Sequence, residues 1–248
     1  MPRDWDAATY ERLSAPLTAM GTEVLDRLVL SGGETVLDAG CGTGNVTRVL
    51  RERLPRGHVI AVDAAPSMVE QARALLPADV DVRRADLLEL ELEEPVDAVL
   101  STATFHWIAD HERLFAKLHA VLAPDGRLVA QCGGHGNVAE VKQAGLEVAA
   151  GARYAAYFDG WAADWNFATP EETERRLRAA GFGDVWCWTG RVDVDAGDPA
   201  GYLSAICLGS FLARLPAELH ERFVGEALER LPDPLRIHYV RLNMLARS

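Results

Sequence analysis

Thr35-Val36-Leu37-Asp38-Ala39-Gly40-Cys41-Gly42-Thr43-Gly44-Asn45 is a short apolar run that ends in an acid and opens into three alternating glycines. Val46 to Leu50 then has helical character. The pattern reads as strand, tight turn, helix. Glycines let the backbone turn sharply and approach a ligand closely, because no Cβ intervenes. The helix start behind them presents unpaired N–H groups and a partial positive charge. The dinucleotide fingerprint G-x-G-x-x-G is not met, since Asn45 stands where the last glycine belongs and Gly44 comes one residue early. Asp38 would be poorly placed beside a pyrophosphate and well placed near a ligand amine.

The following elements repeat the alternation. His58 to Asp63 reads as a second strand with an acidic last residue, 23 positions after Gly40. A carboxylate about 20 residues beyond such a turn suits a ribose, because it accepts two hydroxyl protons. As a strand-end carboxylate, Asp63 is expected to matter for the ligand and little for stability. Pro66 and Ser67 open a helix with Met68, Val69, Ala72 and Leu75 on one face. Val80 to Arg83 gives a third strand, followed by Ala85-Asp86-Leu87; Pro95 to Thr102 gives a fourth. A helix from Asp110 to Leu122, a turn at Pro124-Asp125-Gly126 and a fifth strand from Arg127 to Cys132 complete the series. Five strands alternating with helices predict a parallel, doubly wound α/β sheet, with ligands beyond the carboxyl ends of the strands. Asp38, Asp63, Asp86 and the Ser101 to Trp107 stretch all fall at that edge.

Outside this core the pattern changes. Within an N-terminal lid segment, residues 1–34, Met1 to Ser31 is expected to be helical and to end at Ser31-Gly32-Gly33, with Trp5 and Tyr10 as either packing residues or part of a lid. Tyr154, Tyr157, Phe158, Trp161, Trp165 and Phe167 crowd the segment 133–168, as a helical cap with an aromatic lining or as a satellite core. A helix from Thr169 or Pro170 to Gly181 leads to a sixth strand, Val185 to Thr189. Asp198 to Leu231 reads as helix broken at Pro216, and Leu235 to Ala246 as a last strand. No crossover helix separates that helical stretch from the C-terminus, so the last strand is expected to be antiparallel.

The totals fit one domain over residues 1–248, with 35–132 as core and 133–168 and 198–231 as cap segments. Net charge is −12, which disfavours nucleic acid and anionic membranes as partners. Cys41, Cys132, Cys187 and Cys207 lack metal-ligand spacing and read as buried thiols, so no metal is expected. Arg3, Asp4 and Asp6 interrupt any apolar leader, and no stretch approaches a membrane span. A cytoplasmic monomer or homodimer is expected.

The quoted stretch, with Ala61-Val62-Asp63, Ala85-Asp86-Leu87 and Leu122-Ala123-Pro124-Asp125-Gly126-Arg127-Leu128, resembles the class I S-adenosylmethionine-dependent methyltransferases. Leu177-Arg178-Ala179-Ala180-Gly181-Phe182 is similar to that family's helix before its sixth strand. The resemblance implies a Rossmann-like, seven-stranded, mostly parallel sheet in order 3-2-1-4-5-7-6, with strand 7 antiparallel and helices on both faces. It implies S-adenosyl-L-methionine as cofactor and a small-molecule acceptor. Gly40, Cys41 and Gly42 would contact the methionine part, with Asp38 near its amino group, and Asp63 would hold the ribose. Ala64 and Met68 would flank the adenine, Asp86 and Leu87 would read its edge, and Ser101 and Thr102 would lie near the sulfur.

Within the class, Phe105-His106-Trp107-Ile108-Ala109-Asp110-His111 is similar to the segment after strand 4 in trans-aconitate and malonyl-carrier-protein methyltransferases. Insect juvenile hormone acid and plant carboxyl methyltransferases carry a similar segment, and all of these make methyl esters. In the insect and plant groups the tryptophan equivalent to Trp107 donates its indole N–H to the acceptor carboxylate, with an N-terminal glutamine. Residues 1–40 contain no glutamine here. The resemblance therefore implies O-methylation of a carboxylate, with Trp107 as an acceptor contact; Tyr10, Arg153 and Tyr157, from the N-terminal and aromatic segments, are further candidate contacts. A hydroxyl, amine or carbon acceptor is the alternative. A hydroxyl or ammonium must lose a proton, for which His106 is the candidate base and His111 and His135 the fallbacks. A non-catalytic cofactor-binding module and a nucleotide-dependent oxidoreductase are the readings of other classes.

Overall fold

The computed structural model describes residues 15–162 and 165–248; the expectations for Trp5 and Tyr10 lie outside the described residues. Seven strands form one sheet in the order β3-β2-β1-β4-β5-β7-β6. They are β1 (Thr35–Ala39), β2 (His58–Asp63), β3 (Asp81–Arg84), β4 (Val96–Thr102), β5 (Leu122–Gly133), β6 (Gly183–Asp195) and β7 (Arg236–Arg247). The β1–β2, β1–β4, β2–β3 and β4–β5 pairs are parallel; β7 is antiparallel to both β5 and β6. This is the order and the antiparallel last strand that the sequence led us to expect.

The central strands are buried on both faces and so read as continuous apolar runs. Val36, Leu37, Val59, Val62, Val99 and Leu100 are all sealed from solvent. At about 1.5–3 kcal/mol per buried large aliphatic side chain, they fix the sheet's position in the chain. Helices α1 (Ala15–Leu25), α2 (Asn45–Glu52), α3 (Pro66–Leu75), α4 (His111–Ala120), α5 (Ala139–Ala149) and α6 (Pro170–Ala179) cover it. Each starts where the local chemistry allows. Gly44 caps α2 in the left-handed region, Pro66 opens α3, and the Asp110 carboxylate accepts from the Arg113 N–H at the head of α4. Thr169 and Glu172 close a reciprocal cap on α6.

Four boundaries differ most from expectation. The N-terminal helix, expected to run to Ser31, ends at Leu25. Strand β5 starts at Leu122, opposite Val96, then bulges through residues 123–126 before Arg127 pairs with Ala98. The expected turn at Pro124-Asp125-Gly126 is that bulge, with Asp125 at φ 63°. Strand β6 extends to Asp195, because its whole length pairs with β7. The expected long helix from Asp198 to Leu231 is a series of short turns: α7 (Pro199–Tyr202), a π-turn at Leu203–Cys207, α8 (Gly209–Leu212) and α9 (His220–Leu228).

A second apolar cluster lies under these turns. Tyr154, Phe158, Trp161, Phe211 and Phe223 pack there ring against ring. The aromatic segment thus divides: its first part is a satellite core, while Trp165 and Phe167 turn toward the carboxyl edge of the sheet. All four cysteines are buried and free. None of the described helices is long and apolar enough to cross a membrane.

Candidate active site

A cavity of about 850 Å³ opens at the carboxyl edge of the sheet, between β1, β2, β4 and the cap. One half is built by the glycine turn. The Gly40 and Cys41 N–H groups both donate to the Val62 carbonyl, at 2.8 and 3.0 Å, which ties the turn to the end of β2. Gly40, Gly42 and Gly44 have φ of 88°, 55° and 90°. A Cβ on Gly42 would meet no atom of the described residues within 4 Å, and Gly42 lines the cavity, so its open side could cradle a ligand.

Asp63, at the end of β2, has its carboxylate at the wall. Its Oδ2 accepts from the Gly42 N–H and its Oδ1 from the Ala65 N–H, both at 2.9 Å. Burial raises its pKa, against the lowering effect of the Ala65, Gly42 and Ala64 amides. This corrects the expectation that Asp63 matters little for stability: the side chain clasps the glycine turn to the start of α3. Asp86 stands at the same end, its Oδ1 taken by the Leu88 N–H. Ala64, Met68 and Leu87 complete an apolar slot beside the two acids.

Asp38 is not at the wall. It lies beneath the turn, 1% exposed, where its Oδ2 accepts from the Thr47 hydroxyl at 2.7 Å and its Oδ1 has no partner. Burial, above the opposing Thr47 hydrogen bond and with repulsion from Asp63, pushes its pKa up to about 6. The native state therefore holds a proton that the unfolded chain releases near pH 4. Stability contributed by this group falls as pH rises from about 4 to about 6, by roughly 1–3 kcal/mol. Thermal unfolding from pH 4 to 7 is expected to show this slope in the wild type and to lose that part of it in Asp38→Asn; identical slopes would refute the assignment.

Ser101 is likewise behind the wall, its hydroxyl donating to the Ala39 carbonyl at 2.6 Å, and only Thr102 of that pair lines the cavity. The Thr104 hydroxyl reaches both the Gly40 and Thr102 carbonyls, at 3.1 and 3.0 Å.

The other half of the cavity is lined by Leu17, Thr18, His106, Trp107, Asn137, Val138, Trp165, Phe167, Ile206, Ser210, Tyr239 and Arg241, among others. His106 is 7% exposed, stacked on Phe167 with ring centroids 5.6 Å apart. Its Nδ1 lies 3.2 Å from the Gly133 backbone nitrogen. That N–H can only donate, so Nδ1 accepts and the proton of the neutral ring is on Nε2. Burial first, then the charges of Arg241 and His111, hold its pKa well below 6.5. The imidazole is thus a neutral donor with its basic lone pair already engaged.

The fallback bases are elsewhere: the His111 Nε2 donates to the Phe105 carbonyl at 2.9 Å, and His135 is exposed outside the lining. Arg153 and Tyr157 also lie outside it. Arg153 is paired with Glu226 at 2.9 Å on the surface, and Tyr157 is 38% exposed. Short-range pairing with α9 draws Arg153 away from the cleft.

Reading the sequence did not single out Arg241, Asn137 or Ser210. A signal was present in β7, where Arg241 and Asn243 alternate with apolar residues in Val240-Arg241-Leu242-Asn243-Met244. Val138 also lines the cavity, with φ 45°, rare for a β-branched residue and visible only in the fold.

Residues 36–126 match the family described as a methyltransferase domain. A trans-aconitate 2-methyltransferase from Shigella flexneri is 35% identical over 128 residues, covering 52% of this chain and 50% of the relative. The chain thus aligns with about half the length of such relatives. Among solved structures, Haemonchus contortus phosphoethanolamine N-methyltransferase 2, in complex with phosphomonomethylethanolamine and S-adenosylhomocysteine, superposes with a TM-score of 0.63 at 18% identity. That match covers 98% of this chain and 56% of the other. The [4+2]-cyclase SpnF superposes at 0.59 and 19% identity over 93% and 81% of the two chains. At such identities the likeness speaks for the fold alone. The strand order, the antiparallel β7 and the matched segment agree: residues 36–126 are similar to the methyltransferase domain family, and the chain has the Rossmann-like seven-stranded fold of class I S-adenosylmethionine-dependent methyltransferases.

Proposed function

We propose that this chain transfers a methyl group from S-adenosylmethionine to the carboxylate of a small acid, making a methyl ester. The residues present fit the cofactor. The open side of Gly42 would receive the methionine part, Asp63 the ribose, and the slot of Ala64, Met68, Asp86 and Leu87 the adenine. When bound, the cofactor supplies a methyl group on a sulfonium, which keeps the S–C electron pair as the acceptor oxygen forms its new bond. The protein's part is to hold the acceptor in line and exclude water, which in well-oriented reactions contributes about 7–11 kcal/mol.

The observation that carries the carboxylate reading is the state of His106. A hydroxyl or ammonium acceptor needs a base, and the histidine at this wall has no lone pair to offer. A carboxylate is ionised above pH ~4 and needs none. In this reading the Nε2–H of His106 would act as a donor that orients an anion, and Trp107 lines the same wall. The trans-aconitate 2-methyltransferases that match half of this chain are consistent with that class of acceptor.

The test is a pair of measurements. His106→Asn, which offers an amide oxygen to the Gly133 N–H, is expected to lower kcat by less than about tenfold. Loss of a general base would cost about 10²–10⁴-fold. The pH profile of kcat is expected to be flat between about pH 6 and 9. A steep acidic limb in that window, abolished by His106→Asn, would point to a protonated acceptor instead.

A further inference from the structure

Gly133 ends β5 beside the cavity, and two buried polar side chains meet around it. His106 accepts the Gly133 N–H on Nδ1 and keeps its proton on Nε2. Asn137, 4% exposed, is the second. A Cβ on Gly133 would lie 2.7 Å from the Asn137 Nδ2 and 2.7 Å from the Phe167 Cε1, and Phe167 is the ring stacked on His106. All three side chains line the cavity. Imidazole, amide and phenyl ring thus form one patch of its wall.

The amide of Asn137 has a fixed orientation. Its Oδ1 accepts from the Val240 N–H at 3.0 Å. That N–H can only donate, so the oxygen faces β7 and the NH2 group is left over. Nδ2 has no hydrogen-bond partner among the described residues. A donor at a buried position is costly to leave unmet, so its placement is informative. The loop holds it there. The Gly134 N–H donates to the Val240 carbonyl and the Asn137 N–H to the Gly134 carbonyl, both at 2.9 Å, and the Val138 N–H to the His238 carbonyl at 3.2 Å. Val138, at φ 45°, keeps a conformation that a β-branched residue adopts only where its surroundings impose it. Satisfying the Val240 N–H explains Oδ1 and leaves the Nδ2 protons unexplained.

His106 and Asn137 offer a ligand hydrogen-bond donors alone, and both are uncharged. That suits an oxygen anion with several lone pairs and no proton. A carboxylate accepts at both oxygens. Neutral donors fix its direction and leave its negative charge on the oxygens. A primary amide has one such oxygen, and its own NH2 would confront the donors.

We infer that Asn137 is an acceptor-binding residue that, together with His106, grips the carboxylate of the acid. The inference rests on the proposed carboxylate methylation and gives that reaction a second contact residue.

The experiment measures binding of octanoate, 3-phenylpropionate, their primary amides and trans-aconitate to the S-adenosylhomocysteine complex by calorimetry. Transfer from methyl-labelled cofactor is followed alongside, with alkali lability identifying esters. The wild type is expected to bind at least one of the acids saturably, and each amide at least about tenfold more weakly than its acid. Asn137→Asp keeps an oxygen for the Val240 N–H and puts a second anionic oxygen where the donor was. It is expected to fold, to keep S-adenosylhomocysteine affinity within about threefold, and to bind the acids at least about 30-fold more weakly, since a donor is lost and a like charge added. In turnover the loss is expected in KM more than in kcat. Should Asn137→Asp not fold, the wild-type ranking decides: an amide bound as tightly as its acid overturns the inference. Unchanged acid affinity in folded Asn137→Asp overturns it too, while leaving ester formation intact. Failure of every acid to bind, or alkali-stable products alone, would overturn the carboxylate reading and this inference with it.

Discussion

Gly40→Ala is expected to lose cofactor binding by more than 100-fold and to lower the melting temperature by about 5–15 °C. Two independent effects meet at this residue. Gly40 has φ 88°, where an L side chain costs about 1–2 kcal/mol. Its Cβ would also lie 2.2 Å from both the Cγ2 and Oγ1 of Thr104. Thr104 is poorly placed to retreat, because its hydroxyl bonds to the Gly40 and Thr102 carbonyls. Overpacking of that kind costs about 1–3 kcal/mol. The sum, about 2–5 kcal/mol, is a large part of an ordinary stability of about 5–15 kcal/mol, and a chain of this size loses about 2–4 °C per kcal/mol.

Gly42→Ala is the companion variant. Its Cβ meets nothing among the described residues, so only the backbone cost at φ 55° remains and the chain is expected to fold. The added methyl group stands in the cavity, and S-adenosylhomocysteine affinity is expected to fall by at least tenfold. Calorimetric titration of both variants, with thermal unfolding alongside, separates the two effects. Wild-type affinity in folded Gly42→Ala would remove the methionine part from this turn.

Asp63→Ala is expected to reduce cofactor affinity at least 100-fold and, contrary to the small stability effect expected of a strand-end carboxylate, to destabilise the fold. Two ribose hydrogen bonds to a carboxylate, at about 1.5–3 kcal/mol each, account for the affinity. The Gly42 and Ala65 N–H groups lose their acceptor, and each buried orphan costs about 1–3 kcal/mol. Asp63→Asn keeps one oxygen acceptor and is expected to fold better than Asp63→Ala while still binding the cofactor at least tenfold more weakly. Unchanged affinity in the folded asparagine variant would show that the ribose lies elsewhere.

The sequence by itself determined the sheet, the glycine turn and the half of the cavity proposed for the cofactor. The reason is that these are local: Gly40, Gly42, Asp63 and Asp86 each follow directly on a strand end, and a parallel sheet brings all its carboxyl ends to one edge. Apolar runs such as Val36-Leu37 and Val59 to Val62 are long enough to be read without knowing what covers them. Strand ends do not tell which way a side chain turns, and so Asp38 and Ser101, legible as edge residues, prove to point beneath the wall.

Only the tertiary structure decided the half proposed for the acceptor. Arg241 comes from β7, more than 100 residues from His106, and meets it because β7 inserts antiparallel between β5 and β6. The protonation state of His106 depends on the backbone of Gly133, which no local pattern encodes. Arg153 shows the converse. Its neighbours in sequence are aromatic and suggest a pocket, yet a surface carboxylate on α9, Glu226, captures it. Side-chain chemistry near the ends of parallel strands is fixed by short-range geometry; chemistry assembled from the cap and the last strand is fixed by long-range packing, and appears only when the chain is folded.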